Sequence, residues 1–168
     1  MMTIKVYAAG GSIDKAYSTK ESAFVVGPPA VTTILEEANV TVEYEIESVI
    51  QKDSLDMTDH DRATLAERVE RDSCSHIVIT HGTDTMVATA RALLGIPGKT
   101  IVLTGAMQPA AFRESDAHFN VGAAFLAAQV LPPGTYLAMN GRIFDPTQTA
   151  KNMDLDRFEQ QEEGSPDF

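Results

Sequence analysis

The sequence predicts a three-layer α/β fold, in which a doubly wound, mostly parallel sheet is covered by helices on both faces. Two observations support this prediction. Short apolar runs of strand length alternate along the chain with longer segments of helical pattern. The chain also shows no internal repeat and no interdomain linker, so its 168 residues fit one domain with a sizeable core. Strands joined through helices run parallel, because each crossover returns the chain to the same end of the sheet.

The first third of the chain is predicted to contain two strands, a long loop and a helix. Thr3–Ala8 is an apolar run that ends at Gly10-Gly11, which is typical of a buried strand followed by a tight turn. Residues 12–29 have no clear period and are expected to form a loop, and loops of this length are often lids or binding segments. Residues 30–38 suit a helix, and residues 40–50 alternate in the manner of a half-buried strand.

The rest of the chain continues the alternation. Thr58, followed three residues later by Asp61, resembles a capping box and predicts a helix to about residue 71. The remaining elements are predicted as strands at residues 76–80, 100–104 and 135–140, and as helices at residues 84–94 and 116–130. Residues 1–158 are expected to form the folded domain. Residues 159–168 lack periodicity and are expected to form an acidic, solvated tail.

The composition excludes several classes of protein. Lysine and arginine number 13 against 24 aspartates and glutamates, which gives a formal charge of −11. No basic patch or tail is present, so binding to nucleic acid or to an anionic membrane surface is not expected. The first residues do not resemble a signal peptide, and no apolar run is long enough to cross a bilayer. A cytoplasmic location is therefore expected.

Cysteine and histidine usage argues against disulfides and metals. Cys74 is the single cysteine, so an intramolecular disulfide is impossible, and the residue is expected to pack as a small apolar side chain. His81 could ligate a metal, but no second histidine or carboxylate stands at ligand spacing from it. The other three histidines are scattered along the sequence. We therefore expect neither a metal nor another cofactor.

Three polar clusters follow predicted strands, and ligands of parallel α/β sheets gather at the carboxyl ends of strands. The clusters are residues 10–12, 80–85 and 104–109. Each also has a purely structural interpretation. The first can be a turn, although it presents a serine hydroxyl beside backbone N–H groups that could hold an oxyanion. In the second, Thr83 or Asp84 could simply cap a helix. Asp53 to Met57 could be a polar loop, and Lys151 an ordinary surface lysine.

Taken together and in order, these segments resemble bacterial-type L-asparaginases. That family has a Gly-Gly-Thr-Ile turn after the first strand and a His-Gly-Thr-Asp-Thr-Met segment after a later strand. The present chain has matching segments from about residue 3 to residue 158, namely Gly10-Gly11-Ser12-Ile13, Asp53-Ser54-Leu55-Asp56-Met57, His81 to Met86, Thr104-Gly105-Ala106-Met107, and Met139-Asn140 followed by Lys151. Its Gly-Gly-x-Ile-Asp-Lys opening is similar to that of short, single-domain asparaginases.

The resemblance implies a fold, an activity and a set of site residues. The fold is the flavodoxin- or Rossmann-like N-terminal domain of asparaginases, and residues 1–158 are the catalytic domain. The activity is hydrolysis of L-asparagine to L-aspartate and ammonia through a hydroxyl nucleophile and an acyl-enzyme, with minor glutaminase activity conceivable. The implied catalytic residues are Ser12, Tyr17, Thr83, Asp84 and Lys151, and the implied substrate contacts are Gly11, Asp53, Ser54, Gly82 and Ala106.

The chemistry is consistent with those implied roles. Hydrolysis of an amide requires a nucleophile, a base and donors for the oxyanion. Burial could keep Lys151 neutral as a base, although the carboxylate of Asp84 beside it would oppose that shift. Asp84 could instead bind the substrate ammonium while Ser54 binds the α-carboxylate. Whether Ser12 or Thr83 attacks first stays open, and Tyr17 is the candidate partner of the nucleophile.

The chain departs from the family pattern in two ways. Ser12 stands where the family has threonine, and serine lacks the methyl group that restricts χ1. The family's C-terminal domain is expected to be absent, so a homodimer or a dimer of dimers is expected to complete the site. Two alternatives follow. The chain could be a non-catalytic domain that binds aspartate or asparagine, or a subunit that supplies ammonia to a tRNA-dependent amidotransferase.

Overall fold

Ten strands and four helices are present in residues 1–161, which are the part of the chain described by the computed structural model. The strands are β1 (Thr3–Ala8), β2 (Lys15–Ser18), β3 (Ala23–Val26), β4 (Glu43–Ser48), β5 (His76–Thr80), β6 (Thr100–Thr104), β7 (Gly134–Met139), β8 (Arg142–Phe144), β9 (Thr149–Asn152) and β10 (Arg157–Gln160). The helices are α1 (Val31–Glu37), α2 (Asp59–Arg71), α3 (Met86–Ala92) and α4 (Ala117–Val130).

The central sheet has six strands in the order β4, β1, β5, β6, β7, β8. The first five strands are parallel, and β8 pairs antiparallel with β7. The parallel strands follow one another in space as second, first, third, fourth and fifth, which is the flavodoxin-like order of a doubly wound sheet. The predicted fold class is therefore confirmed. The order reverses beside β1, and ligands of such sheets bind next to this switch point.

Two apolar cores cover the two faces of the sheet. On one face α1 and α4 pack against alternate residues of the strands, with Val6, Val78 and Val102 fully buried. On the other face α2 and α3 cover Ile79 and Leu103. Because β5 and β6 are buried on both sides, they are apolar at nearly every position rather than at alternate positions. The result is the three-layer arrangement that the alternation of elements predicts.

The predicted capping box is present at the start of α2. The amide of Asp61 donates to Thr58 Oγ1 over 3.2 Å, and the Asp61 carboxylate accepts from the amide of Thr58 over 2.9 Å. Two of the free N–H groups at the start of the helix are thus satisfied by side chains. The helix then runs to Arg71, as its pattern predicts.

The loop prediction for residues 12–29 is wrong. Residues 12–14 form a 3-10 turn, and β2 and β3 form an antiparallel hairpin that pairs outside the main sheet. The strands have four residues each and much of the hairpin is exposed, so no buried face imposes an alternating pattern on the sequence. Ser22 at the end of the hairpin turn has φ +52°, a conformation uncommon for residues other than glycine.

A second hairpin, which the sequence pattern does not predict, follows β8. Strands β9 and β10 pair antiparallel, with Lys151 opposite Phe158. Glu159 and Gln160, at the start of the predicted acidic tail, lie in β10, and residues 162–168 of that tail fall outside the described residues. This hairpin brings Lys151 back towards the carboxyl ends of the parallel strands.

The outer strand β4 is rich in glutamate. Glu43, Glu45 and Glu47 alternate along it with the partly buried Tyr44 and Ile46. Lys5 of β1 forms ion pairs with Glu45 and Glu47, at 3.5 and 3.2 Å.

None of the helices in residues 1–161 combines the length and the apolar character needed to cross a membrane.

Candidate active site

The three polar clusters meet at the carboxyl ends of β1, β5 and β6, as the topology requires. The amide of Ala9 donates to the carbonyl of Thr80 over 2.8 Å, and the amide of His81 donates to the carbonyl of Thr104 over 2.9 Å. The loops that follow these strands therefore continue the sheet pairing before they separate. The segments that follow Ala9, His81 and Thr104 consequently start side by side at one edge of the sheet.

Two glycines allow the loops to touch through their backbones. A Cβ atom added to Gly11 would lie 2.3 Å from the Gly82 Cα, and one added to Gly82 would lie 2.5 Å from the Ser54 Cβ. Non-bonded carbon atoms do not approach this closely, so any larger residue at either position would push the loops apart. Gly11 also has φ +88°, which favours glycine. The predicted substrate contacts Gly11, Gly82 and Ser54 are thus mutual neighbours.

Lys151 connects the second hairpin to the turn after β5. Its Nζ atom lies 2.9 Å from Thr83 Oγ1 and 2.7 Å from Asp84 Oδ1. The Lys151 side chain is 11% exposed and that of Asp84 is 29% exposed. A surface cleft of about 320 Å³ is lined by both residues on the side of α3 and β9. A lysine that is 67 residues away in sequence is therefore placed against both candidate catalytic residues of this turn.

The structure also decides between two interpretations of that turn. The residue that caps α3 is Thr85, and no side chain forms a capping hydrogen bond there. The interpretation of Thr83 or Asp84 as the helix cap is therefore wrong. Both side chains instead contact Lys151.

The loop after β4, which contains Asp53 and Ser54, has a buried hydroxyl without a hydrogen-bond partner within residues 1–161. Ser54 is 1% exposed, and its Oγ atom has no hydrogen-bond partner within residues 1–161. The loop itself is held from outside, because Thr85 Oγ1 donates to the Ser54 carbonyl over 2.8 Å. Asp53 pairs with Lys15 Nζ at 2.6 Å, and the lysine lowers the pKa of the Asp53 carboxyl. Because a buried polar group normally has a hydrogen-bond partner, the unpartnered Ser54 hydroxyl is a candidate ligand contact.

Ser12 and Tyr17 are the least fixed of the predicted residues. Ser12 begins the 3-10 turn and is half-buried, and its hydroxyl makes no hydrogen bond with residues 1–161. Tyr17 lies in β2 with 58% of its surface exposed, and its ring packs edge-on against Phe24. No described contact joins Tyr17 to Ser12 or to Thr83. The pairing of Tyr17 with a nucleophile thus stays a prediction.

The loop after β6 is held by two residues that the motif analysis does not identify. Asp116 accepts from the amides of Met107 and Gln108, and Asn120 Nδ2 donates to the carbonyl of Gly105 over 2.9 Å. Ala106 lies fully buried within this loop. Asp116 stands directly before α4, where sequence analysis would take it for a helix cap. Its carboxylate accepts backbone amides of the loop instead.

His81 is buried and uncharged. Its Nδ1 lies 2.7 Å from the carbonyl of Gly82, and its Nε2 lies 2.7 Å from Thr89 Oγ1. Burial lowers the pKa of His81 to about 4. The imidazole is therefore neutral near pH 7 and acts as a hydrogen-bonding element of the turn.

No group of three or more histidine, cysteine, aspartate or glutamate side chains within residues 1–161 is arranged to hold a metal ion.

Comparison with known proteins identifies relatives of the chain. The family model "Asparaginase, N-terminal" matches residues 3–165. Among curated proteins, L-asparaginase 2 of Escherichia coli K12 is 30% identical over 164 residues, covering 91% of this chain and 47% of that protein. The L-asparaginase of Thermococcus kodakarensis is 31% identical over 159 residues, covering 89% and 48%.

Solved structures agree. The thermostable L-asparaginase from Thermococcus kodakarensis superimposes with a TM-score of 0.80 at 28% identity, covering 95% of this chain and 51% of that one. L-asparaginase I from Vibrio cholerae superimposes with a TM-score of 0.78 at 26% identity. The chain spans about half the length of the relatives it matches.

Proposed function

The chain belongs to the asparaginase family, and from this premise we propose that it is an L-asparagine amidohydrolase that converts L-asparagine and water to L-aspartate and ammonia. The observation that supports this proposal most directly is the contact of Lys151 with both Thr83 and Asp84. A lysine within 3 Å of a buried hydroxyl is close enough to exchange a proton with it. A hydroxyl becomes an effective nucleophile or water activator only with such a partner.

The proposed reaction has two steps. In the first, Ser12 Oγ attacks the side-chain carbonyl carbon of asparagine, the C–N bond breaks, and the hydroxyl proton leaves with ammonia. In the second, water attacks the resulting ester, the bond to Ser12 breaks, and Ser12 recovers a proton. Thr83 with Lys151 moves the proton of that water, and Tyr17 relays the proton of Ser12 towards the leaving ammonia when the hairpin lies over the site. Backbone amides of the glycine turns stabilise the oxyanion in both steps.

The proposed substrate contacts explain recognition of an amino acid. The free hydroxyl of Ser54 and the backbone of Gly11 and Gly82 bind the α-carboxylate, whereas the carboxylate of Asp84 binds the α-ammonium. Both charged ends of the substrate then have polar partners, as a buried charge requires. Ala106 and Asp53 are proposed as further substrate contacts. Glutamine differs from asparagine by one methylene, which discriminates by about 1–3 kcal/mol, so slower turnover of glutamine is expected.

Ammonia release from the purified chain tests the proposal. L-asparagine and L-glutamine are supplied separately, and Ser12→Ala and Thr83→Ala are measured beside the wild type. Turnover of asparagine that both substitutions abolish supports the two hydroxyl roles. Mass spectrometry of rapidly quenched wild-type reactions locates the acyl group on Ser12 or on Thr83. Absence of turnover over a wide substrate range, with aspartate still raising the melting temperature, contradicts the enzyme and leaves a binding domain.

Assembly and location complete the proposal. A homodimer or a dimer of dimers is proposed, in which a second copy completes the site. Size-exclusion chromatography with light scattering measures the assembly state. The expected cytoplasmic location is tested by cell fractionation.

A further inference from the structure

A chain of three side chains lies behind the turn that contains Thr83. Arg62 Nε donates to Thr89 Oγ1 over 3.1 Å, and Thr89 Oγ1 lies 2.7 Å from His81 Nε2. His81 Nδ1 lies 2.7 Å from the carbonyl oxygen of Gly82. His81 and Thr89 are fully buried, and the Arg62 side chain is 11% exposed. The contacts thus run without a break from α2 through α3 to the candidate catalytic turn.

The chemistry of the three groups fixes the direction of every hydrogen bond in this chain. A carbonyl oxygen only accepts, so His81 Nδ1 must hold the proton that it shares with Gly82. Neutral His81 then has a bare Nε2, which must accept from the Thr89 hydroxyl. That hydroxyl has one proton, so its oxygen is free to accept from Arg62. One tautomer of His81 therefore satisfies all four groups.

We infer that Arg62, acting through Thr89 and His81, is a positioning residue that fixes the Gly82–Thr83 peptide and with it the Thr83 hydroxyl; the kinetic part of this inference rests on the proposed function. The peptide is planar, so fixing the Gly82 carbonyl also fixes the Thr83 amide nitrogen. Gly82 is packed against both Gly11 and Ser54, so a change in its orientation moves the turn against both neighbouring loops. A displacement of about 1 Å at a reacting group can lower a rate by about a hundredfold.

The environment of the imidazole supports this role. The pKa of His81 is lowered to about 4, mainly by burial, and the nearby charge of Arg62 contributes to the lowering. Arg62 therefore serves both as the terminal donor of the chain and as a charge that opposes protonation of His81. A methionine in place of Arg62 would retain neither property.

The loop that contains Ser54 is anchored by a different residue, so its displacement can be distinguished from displacement of the Gly82–Thr83 peptide. Ser54 is anchored through its carbonyl by Thr85, not by the histidine chain. Arg62 makes one further contact with this loop, a 3.4 Å hydrogen bond from Nη1 to the Met57 carbonyl, and it pairs with Asp59. Thr89→Val therefore interrupts only the hydrogen-bond chain from Arg62 to Gly82. Arg62→Met also removes the hydrogen bond to Met57 in the loop that contains Ser54.

The direct test is the tautomer of His81, measured by two-bond ¹H–¹⁵N NMR on the purified chain. The His81 signals are assigned by exclusion with His60→Gln, His76→Gln and His118→Gln. The wild type is expected to show a single tautomer protonated at Nδ1. Thr89→Val and Arg62→Met are expected to show mixed tautomers, because an imidazole no longer held at Nε2 can turn away from the Gly82 carbonyl that keeps the proton on Nδ1. Thr89→Ser is expected to restore the single tautomer. This readout needs no catalytic turnover, so it is independent of the proposed function.

The second test measures kcat and KM of the same variants. Thr89→Val is expected to lower kcat about tenfold to a hundredfold with KM changed less than about threefold, and Thr89→Ser to restore kcat. Arg62→Met is expected to lower kcat and raise KM. Arg71→Met is the matched control, because Arg71 lies on the same helix, is exposed and, within residues 1–161, pairs only with Glu67. A single wild-type-like tautomer in Thr89→Val and Arg62→Met, or a kcat of Thr89→Val within about twofold of the wild type, would overturn the inference.

Discussion

The turns that contain Ser12 and Thr83 lie side by side but are stabilised in different ways. The turn of Thr83 is held by side chains, since Lys151 contacts its hydroxyl and His81 contacts the carbonyl before it. The turn of Ser12 is held by its backbone, with the amide of Gly11 bonded to the Lys52 carbonyl and no side chain bonded to the serine hydroxyl within residues 1–161. An exposed hairpin follows it. One hydroxyl is therefore preorganised by the protein, and the other depends on its hairpin and on the substrate.

The largest expected effect comes from breaking the preorganised side. Lys151→Met removes the partner of the Thr83 hydroxyl and leaves Asp84 without its ion pair. A positioned acid or base contributes about 10²- to 10⁴-fold to a rate, so kcat for asparagine is expected to fall about a thousandfold. Lys20→Met, at an exposed turn of the first hairpin, is the control and is expected to keep full activity. Normal turnover by Lys151→Met would exclude the lysine from proton transfer.

The two turns are also expected to respond to pH in opposite directions. Burial raises the pKa of Asp14, two residues after Ser12, to about 7. A raised pKa means that the folded state retains a proton that the unfolded chain loses, so this stability is present below about pH 4 and is lost as pH rises through 7. The loss is about 4 kcal/mol at most. Asp14→Asn keeps the oxygen that accepts from the Ala30 amide and is expected to remove this loss in urea unfolding experiments.

His81 is expected to give the unfolding free energy the opposite pH dependence. Its pKa is lowered to about 4, so the folded state resists a proton that the unfolded chain binds near pH 6.5. This stability is present above pH 6.5 and is lost as pH falls through 4, by roughly 3 kcal/mol at most. In the Asp14→Asn background, unfolding free energy is therefore expected to decrease steadily from pH 7 to pH 4. His60→Gln in that background is expected to leave the decrease unchanged, and a flat profile would contradict the buried neutral imidazole.

The contact between the turn of Thr83 and the loop of Ser54 is tested by adding one methyl group. Gly82→Ala would place a Cβ 2.5 Å from the Ser54 Cβ, and overpacking of this kind destabilises by about 1–3 kcal/mol. Thermal unfolding is expected to show the lower Tm, together with a higher KM. Gly122→Ala is the control, since this exposed glycine of α4 has no atom within 4 Å of the added Cβ. It is expected to stabilise by about 0.5–1 kcal/mol.

The smallest effect is expected at the first hairpin. Tyr17→Phe keeps the ring that packs on Phe24 and removes a hydroxyl that is exposed in this structure. Stability is therefore expected to stay within about 0.5 kcal/mol of the wild type. If the hairpin brings the hydroxyl to Ser12 during turnover, kcat falls about tenfold with KM unchanged. Unchanged kcat would show that Ser12 is activated by another group.

Most of the fold was predictable because the core imposes its pattern on the sequence. β5 and β6 are apolar throughout since helices cover both faces, and α2 has its capping box written at Thr58 and Asp61. The two hairpins were not predictable in the same way. Their strands have four residues each, and none shows a regular alternation of buried and exposed positions, so no period-2 pattern marks them in the sequence.

The candidate site was predictable where a motif is contiguous and not where it depends on packing. Thr83 and Asp84 stand in one recognisable segment, and topology brings Ser54 and Gly11 to it. Arg62 and Asp116 could not be identified from sequence. An arginine within an amphipathic helix and an aspartate before a helix are ordinary surface and capping residues, and only their hydrogen bonds show what they hold.

The alternating glutamates of β4 disfavour pairing of this edge strand with the same strand of another molecule. In residues 1–161 β4 has a neighbour on one side only, and the backbone groups of such a strand can pair with the same strand of another molecule. Pairing of that kind would bring Glu43, Glu45 and Glu47 of two copies together, and like charges across adjacent strands are unfavourable. Repulsion between these glutamates therefore disfavours edge-to-edge aggregation through β4 at neutral pH. Any dimer is accordingly expected to form through another surface.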